Sequence, residues 1–371
     1  MTQPKILVTG ATGRTGSAVV EELLAKGVPV RAVVRAKDAR STALEQKGAE
    51  TVVADMYDLD QLLAAMRGTQ RAYFLPFYDP YMIQSATAFA VAAREAKLEA
   101  VVSLGQWLAS PTHPSLSSRQ SWLMDEIFSM IPGVAHVRVN PGYFADNHLR
   151  LIGYAAQMGV FPDITGDSKD APPSNEDIAR VAVAALLNPE KHAGKRYRPT
   201  GPALLSASDM AEILSRVLGR RVRRIDMPWW MFLKGAPKQN AGEFLVSGLR
   251  YYIVDHKQGA FALGAPTNDV LEVTGRSAED FETTARRYAA RPEAQRNLRN
   301  WLRSFVEFMS TPLSRGYKPL RLERELRFPK PPAPSQAMAN ERWKAEHGGQ
   351  FAQGAATDRR AISPTLARES A

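Results

Sequence analysis

From the N-terminus to about residue 140, short apolar runs alternate with segments whose apolar positions recur at helical spacing. Lys5 to Val8 is an apolar run, Gly10 to Gly16 a glycine-rich turn, and Ser17 to Lys26 places Val19, Val20, Leu23 and Leu24 at helical spacing. The alternation then repeats. It predicts strands at 28–34, 50–54, 71–75, 100–104 and 135–139, and helices at 42–47, 59–67, 81–96 and 118–130. Strands separated by helices in this way build a parallel sheet, because parallel pairing needs a crossover to bring the chain back.

Past Pro141 the alternation weakens. Helices are predicted at 175–187 and at 206–218, the second with Ser206 as N-cap, a strand at 221–227, and the last helix of the compact fold at 278–288. Residues 298–309 read as one more amphipathic helix. Residues 328–371 are rich in Pro, Ala, Ser, Gln and charge, and PKPPAPSQA at 329–337 is a linker-like stretch that builds no core. The expected architecture is α/β: a Rossmann-type doubly wound parallel sheet over residues 1–150 and a smaller α/β substrate or lid region over 151–290, interleaved with it. An irregular C-terminal extension follows over 291–371, partly helical and then Pro-rich. That extension is expected to wrap a neighbour or stay mobile, and a homodimer would draw on it.

Composition narrows the chemistry. At 371 residues, 44% hydrophobic and 23% charged, the chain is long enough for a sizeable core and ordinary for a globular protein. With no cysteine, disulfides, thiolate catalysis, cysteine-held zinc and iron–sulfur clusters are excluded, and a reducing cytoplasm fits. The start MTQPKILVTG enters a strand without a signal-peptide pattern, and the apolar stretches at 181–187 and 228–233 are too short to cross a bilayer. A net charge of +10 would suit an anionic partner. The basic residues nevertheless cluster at 220–224 and after Arg291 without an aromatic platform or zinc-finger spacing, so neither nucleic acid nor membrane is the expected partner. The histidines are scattered, and no metal is expected.

Gly10, Ala11, Thr12, Gly13, Arg14, Thr15 and Gly16 fall between the first strand and first helix, where a dinucleotide pyrophosphate sits. Gly10 permits the tight turn, Gly13 lets phosphate approach the backbone, and Gly16 lets the helix pack closely on the strand. The helix N-terminus then offers free N–H groups and partial positive charge. Strand two ends in Val34-Arg35-Ala36-Lys37, with no acidic residue for a ribose 2′-hydroxyl. Arg35 can grip a 2′-phosphate, with Arg14 and Lys37 assisting, so NADP(H) is expected in preference to NAD(H).

TGATGRTG at residues 9–16, VVR ending at Arg35, Ala54-Asp55-Met56, NPGYFADN at 140–147 and Asp177-Ile178-Ala179 together resemble the NmrA-like branch of the atypical short-chain dehydrogenase/reductases. The resemblance covers roughly Pro4 to Ala290. It implies that Asp55 and Met56 lie beside the adenine, that Leu75 and Pro76 cover the adenosine, that Ser103 and Gln106 lie near the nicotinamide ribose, and that Pro141, Tyr143 and Phe144 border the nicotinamide. Read plainly, Asp55 caps a helix and Pro141-Gly142 ends a strand. The chain departs from the superfamily's Tyr-x-x-x-Lys pair, which carries Ser118 and Trp122 here, and Asn140 stands where an Arg commonly precedes the Pro.

Hydride transfer needs mainly that cofactor and electrophile be held in contact, so loss of the Tyr leaves reduction open. Trp107, Trp122, Tyr143 and Phe144 suggest a small, flat, apolar or aromatic substrate. His113, Tyr143 and Trp122 are the residues placed at the chemistry, His113 as the titratable donor on its loop. Pro228 to Leu233 reads as a lid or pocket wall. Two functions remain: an NADPH-dependent reductase of a conjugated carbonyl or quinone-like compound, and an NADP(H)-sensing regulator without turnover.

Overall fold

The computed structural model describes residues 3–239 and 241–348. Nine strands occur among them: β1 (Ile6–Val8), β2 (Val30–Val34), β3 (Glu50–Val53), β4 (Arg71–Phe74), β5 (Ala100–Leu104), β6 (Ala135–Val139), β7 (Val160–Asp163), β8 (Arg196–Tyr197) and β9 (Arg223–Asp226). Seven form one parallel sheet in the order β3-β2-β1-β4-β5-β6-β8, while β7 and β9 pair in parallel as a second, small sheet.

A parallel sheet is covered on both faces, so its central strands read as continuous apolar runs rather than alternating ones. Accordingly, β1 and β5 are buried throughout. On one face the helices Arg14–Ala25 and Asn175–Leu187 press Val19, Leu23, Ile178 and Val181 onto the sheet. On the other, Phe74, Phe89 and Phe128 pack with ring centroids 4.7 to 5.9 Å apart, binding the helices Met82–Glu95 and Leu116–Ser129 to β4. Truncating any of the three to Ala would cost about 3–5 kcal/mol.

The second region is woven into the first: the helix Asn175–Leu187 lies against Arg14–Ala25, and β8 extends the main sheet beside β6. Its own core joins residues 145–161, 207–222 and 281–294. The first helix starts at Arg14, not Ser17, because Gly13 is extended (φ −84°, ψ 172°) and the helix follows at once. The helix at Ala207–Val217 carries Ser206 as N-cap, in a capping box with Asp209. The strands β7 (VFPD, with a proline) and β8 (two residues) were not anticipated.

The extension also departs from expectation. Residues 298–310 form the predicted helix, but 329–348 strap across the chain's own surface. Ser335 N–H donates to the Thr112 carbonyl (2.9 Å), Ala337 N–H to the Asp255 carboxylate (2.8 Å), and the Trp343 indole N–H to the Trp107 carbonyl (3.2 Å). Trp343 supplies the apolar burial that the Pro-rich stretch lacks. The rest of the predicted mobile tail, 349–371, lies outside the described residues. No helix among the described residues is long and apolar enough to cross a membrane.

Candidate functional site

The strand order reverses between β1 and β4, and ligands of open α/β sheets bind at such a reversal, beyond the carboxyl ends of the strands. Thr9 ties the two strands together there: its N–H donates to Tyr73 O (3.1 Å) and its hydroxyl accepts from Leu75 N–H (2.8 Å). Gly10 has φ +60°, and a Cβ on it would lie 2.4 Å from Leu75 Cδ2. A Cβ on Gly16 would lie 2.2 Å from the Gly10 carbonyl oxygen. Both glycines are therefore sterically required. No side chain caps the helix that follows, and its first turn holds no acid, so nothing in that turn competes with an anion.

On the β2 side, exposed Arg35 holds its guanidinium carbon 5.1 Å from the Phe77 ring centroid. Lys37 is turned away to Glu45 and Thr51, and Arg14 to Asp146, whose other oxygen accepts the Tyr288 hydroxyl. Arg35 therefore stands without the two expected assistants. Asp55 is exposed and accepts Tyr57 N–H (2.9 Å), whereas the cap of the next helix is Asp58. Met56 is buried in the core, and Pro76 is buried beside half-buried Leu75.

At the β5–β6 end the site is built from hydroxyls. Gln106 Oε1 accepts the Tyr252 hydroxyl and the Ser118 hydroxyl (3.2 Å), and Tyr78 faces Gln106 and Ser121. Tyr252 comes from the helix Glu243–Lys257, far along the chain from the position where the superfamily has its Tyr. Burial pushes its pKa well above 10, so the hydroxyl keeps its proton. Tyr252, Gln106 and Tyr143 are each half-buried. Nothing in the spacing of residues 243–257 pointed to Tyr252, because the tertiary fold alone brings that helix over Gln106.

Other expectations are corrected. Ser103 is fully buried, bonded to Asp125 (3.0 Å) and His136 Nε2 (2.8 Å), because its strand position turns it toward the helix Leu116–Ser129. Burial holds His136 neutral, with its pKa lowered to about 3, and raises Asp125 despite Arg196 and Arg138. Asn140 donates to Gln106 O (3.0 Å) and Asp125 (3.2 Å), and Gly105 makes room for it. His113 is no exposed donor: it is wholly buried, accepts Ser115 N–H at Nδ1 (3.0 Å) and meets Asp255 through Nε2 (2.8 Å). That pair anchors the loop after β5 to the helix Glu243–Lys257 and, through Asp255, to the strap. Trp107 is buried with Phe261 and Trp343, while Trp122 is half-buried one turn beyond Ser118.

Tyr143 presents its ring edge-on to His148 (5.0 Å), His256 (5.3 Å) and Phe261 (5.5 Å), and Phe144 packs against the sheet core. Burial and Asp170 keep Tyr143 protonated. The histidines are less scattered than the sequence implied, since His148 and His256 share Asp170 at 3.2 and 3.3 Å, a grouping that could hold a metal ion. Burial opposes the charge on His148, but Asp170 outweighs it and raises the pKa above 6.5. The expected lid at 228–233 packs against the extension instead: Leu233 O accepts Tyr317 N–H (3.1 Å), and Trp230 remains exposed.

The strand order, with a glycine turn at its reversal and an uncapped helix behind it, defines a Rossmann-type α/β protein. The model of the NmrA-like family matches residues 2–103. An NAD(P)H azoreductase of Xenophilus azovorans is 31% identical over 292 residues, 77% of this chain and 98% of the relative. A (4-alkanoyl-5-oxo-2,5-dihydrofuran-3-yl)methyl phosphate reductase of Streptomyces griseus is 32% identical, covering 76% of this chain and 98% of the relative. The NADPH-dependent quinone oxidoreductase of Escherichia coli, solved with NADPH, superposes with a TM-score of 0.64 at 22% identity, over 76% of this chain and 98% of that one. The chain belongs to the NmrA-like family.

Proposed function

We propose that this protein is an NADPH-dependent reductase that passes hydride to a small, flat, conjugated carbonyl or quinone-like acceptor. The observation that carries the reading is a glycine cradle under an uncapped helix at the strand-order reversal, with a protonated Tyr252 hydroxyl on Gln106, which follows β5, as the candidate proton source. The two full-length relatives, both reductases by name, support it.

The cradle suits a dinucleotide, since no Cβ fills Gly10, Gly13 or Gly16, the first helical turn itself contains no acid, and the nearby Asp146 is paired with Arg14. The N–H groups of Arg14, Thr15 and Gly16 would hold the pyrophosphate, and Arg35 would pair with the 2′-phosphate. Bound there, the reduced nicotinamide supplies the hydride. Tyr143 and Phe144 wall the acceptor's flat face. Tyr252 holds a proton at its hydroxyl, gives it to the acceptor oxygen as negative charge develops, and regains one from water. Ser118 fixes the Gln106 amide that orients Tyr252. This arrangement fills the role of the missing Tyr-x-x-x-Lys pair from a different helix.

The test is NADPH oxidation by the purified protein with quinones, azo dyes and enones, run beside Gly13→Trp. Turnover that disappears in Gly13→Trp supports the reductase. Tight NADPH binding without turnover on any acceptor replaces it with the sensor.

A further inference from the structure

The helix Leu298–Ser310 is mounted inside out. Along LRNWLRSFVEFMS the apolar residues Leu298, Trp301, Leu302, Phe305, Val306 and Met309 share one face, and every one of them is exposed. Ser304 is the helix's only buried residue. The face toward the protein is polar or half-buried: Glu307 Oε1 accepts the Gln239 amide (2.8 Å), and Phe308 meets Tyr154 edge-on at 5.7 Å. Trp301 and Phe305 stack on the open side at 5.1 Å. Past the helix end Leu313 is 88% exposed, and Trp230, on the helix Trp229–Gly235 that contacts residues 311–313, is exposed as well. Among the described residues nothing covers this face, and monomeric proteins rarely leave so large an apolar patch in water.

We propose that this face is a docking surface for an anionic lipid bilayer, with the helix lying in the plane of the headgroups. Charge selects the occupant. Residues 291–330 carry ten Lys and Arg against four Asp and Glu, a large share of the chain's net charge of +10. Arg299 and Arg303 sit on the same helix beside the apolar stripe, both exposed, and Arg296, Arg315 and Lys318 are exposed on either side of it. An apolar stripe with Trp, Phe and Leu, flanked by arginines, is the pattern of an interfacial helix that buries its stripe among acyl chains and pairs its cations with lipid phosphates. A two-fold dimer through the same face would set this basic segment against its own copy, which like-charge repulsion opposes. The sequence did not suggest a membrane because 13 residues are too few to span one, whereas lying on one needs only the stripe.

The test is flotation of the full chain with vesicles of phosphatidylcholine alone and with about one-third phosphatidylglycerol. Binding is expected to the anionic vesicles, at least about tenfold weaker to the neutral ones, and to weaken with salt. Phe305→Glu and Trp301→Ser should each lose about tenfold while NADPH binding is kept and the chain still melts cooperatively, since each residue is 41% exposed and outside the protein core. Equal binding of wild type and both variants, or no binding to anionic vesicles, overturns the proposal. So does a concentration-dependent dimer that Phe305→Glu dissociates without vesicle binding, which would name a second copy as the occupant. None of these readouts depends on turnover, so failure here leaves the reductase reading intact.

Discussion

The two ends of the proposed site, one for cofactor and one for acceptor, are made by different means. The proposed cofactor end uses backbone: one turn of eight residues, Gly16 forced by a 2.2 Å contact with the Gly10 carbonyl, Gly10 required by its φ of +60°, and free N–H groups. The acceptor end uses side chains drawn from residues 78, 106, 118, 143 and 252, backed by a strap from beyond 330. Backbone sites are local and tolerate little variation in sequence. Side-chain sites are assembled by the fold and can be rebuilt from another helix, the role proposed above for Tyr252.

The sharpest way to break the contrast is Gly16→Val. Its side chain must displace the Gly10 carbonyl, so NADPH affinity should fall about a thousandfold, through the loss of two or more charge-assisted bonds. Titration by nicotinamide fluorescence measures this, and near-normal affinity would remove the cradle from the site. At the other end, Tyr252→Phe should lower kcat about a hundredfold and leave the NADPH Kd unchanged. If kcat survives, the proton comes from elsewhere, with Tyr143 next to be tested.

The acceptor end also rests on a buried histidine, a kind of group the cofactor end lacks, and pH exposes it. Folded His136 titrates near 3 rather than 6.5, so below pH 6.5 the unfolded chain binds a proton that the folded one refuses. This contribution is absent above 6.5 and grows as pH falls, reaching about 2 kcal/mol lost by pH 5. His148, held above 6.5, acts in the opposite direction, so the readout is the difference between wild type and His136→Gln in urea melts. Parallel curves for the two proteins would contradict the burial argument. Smallest is Arg35→Ala, which should cut the preference for NADPH over NADH about tenfold, because on the proposed reading Arg35 would meet the 2′-phosphate alone, Arg14 and Lys37 being paired elsewhere. A preference unchanged in that variant would return the role to one of those two cations.

This division explains what could be read in advance. The β1-to-β6 alternation and the glycine turn were legible because each depends on neighbours in sequence. Arg35 was legible as a break from the acidic residue expected at that strand end. His113 misled because a Pro-flanked loop suggests exposure, while Asp255, 142 residues later, buries it. Ser103 misled because family position says nothing of which way a hydroxyl turns once Asp125 and His136 compete for it. Tyr252 and Trp343 gave no signal, since no local pattern marks a side chain whose partner is a distant loop.

The strap has a consequence for the order in which the protein becomes competent. Ribosomal synthesis delivers the glycine cradle well before Ala337 and Trp343, yet those residues are what hold Asp255 and Trp107 behind the proposed acceptor site. A nascent chain can therefore capture nucleotide well before it can hold an acceptor in register. Chains halted near residue 320 should bind NADPH and show little turnover, and full activity in such chains would refute that sequence of events.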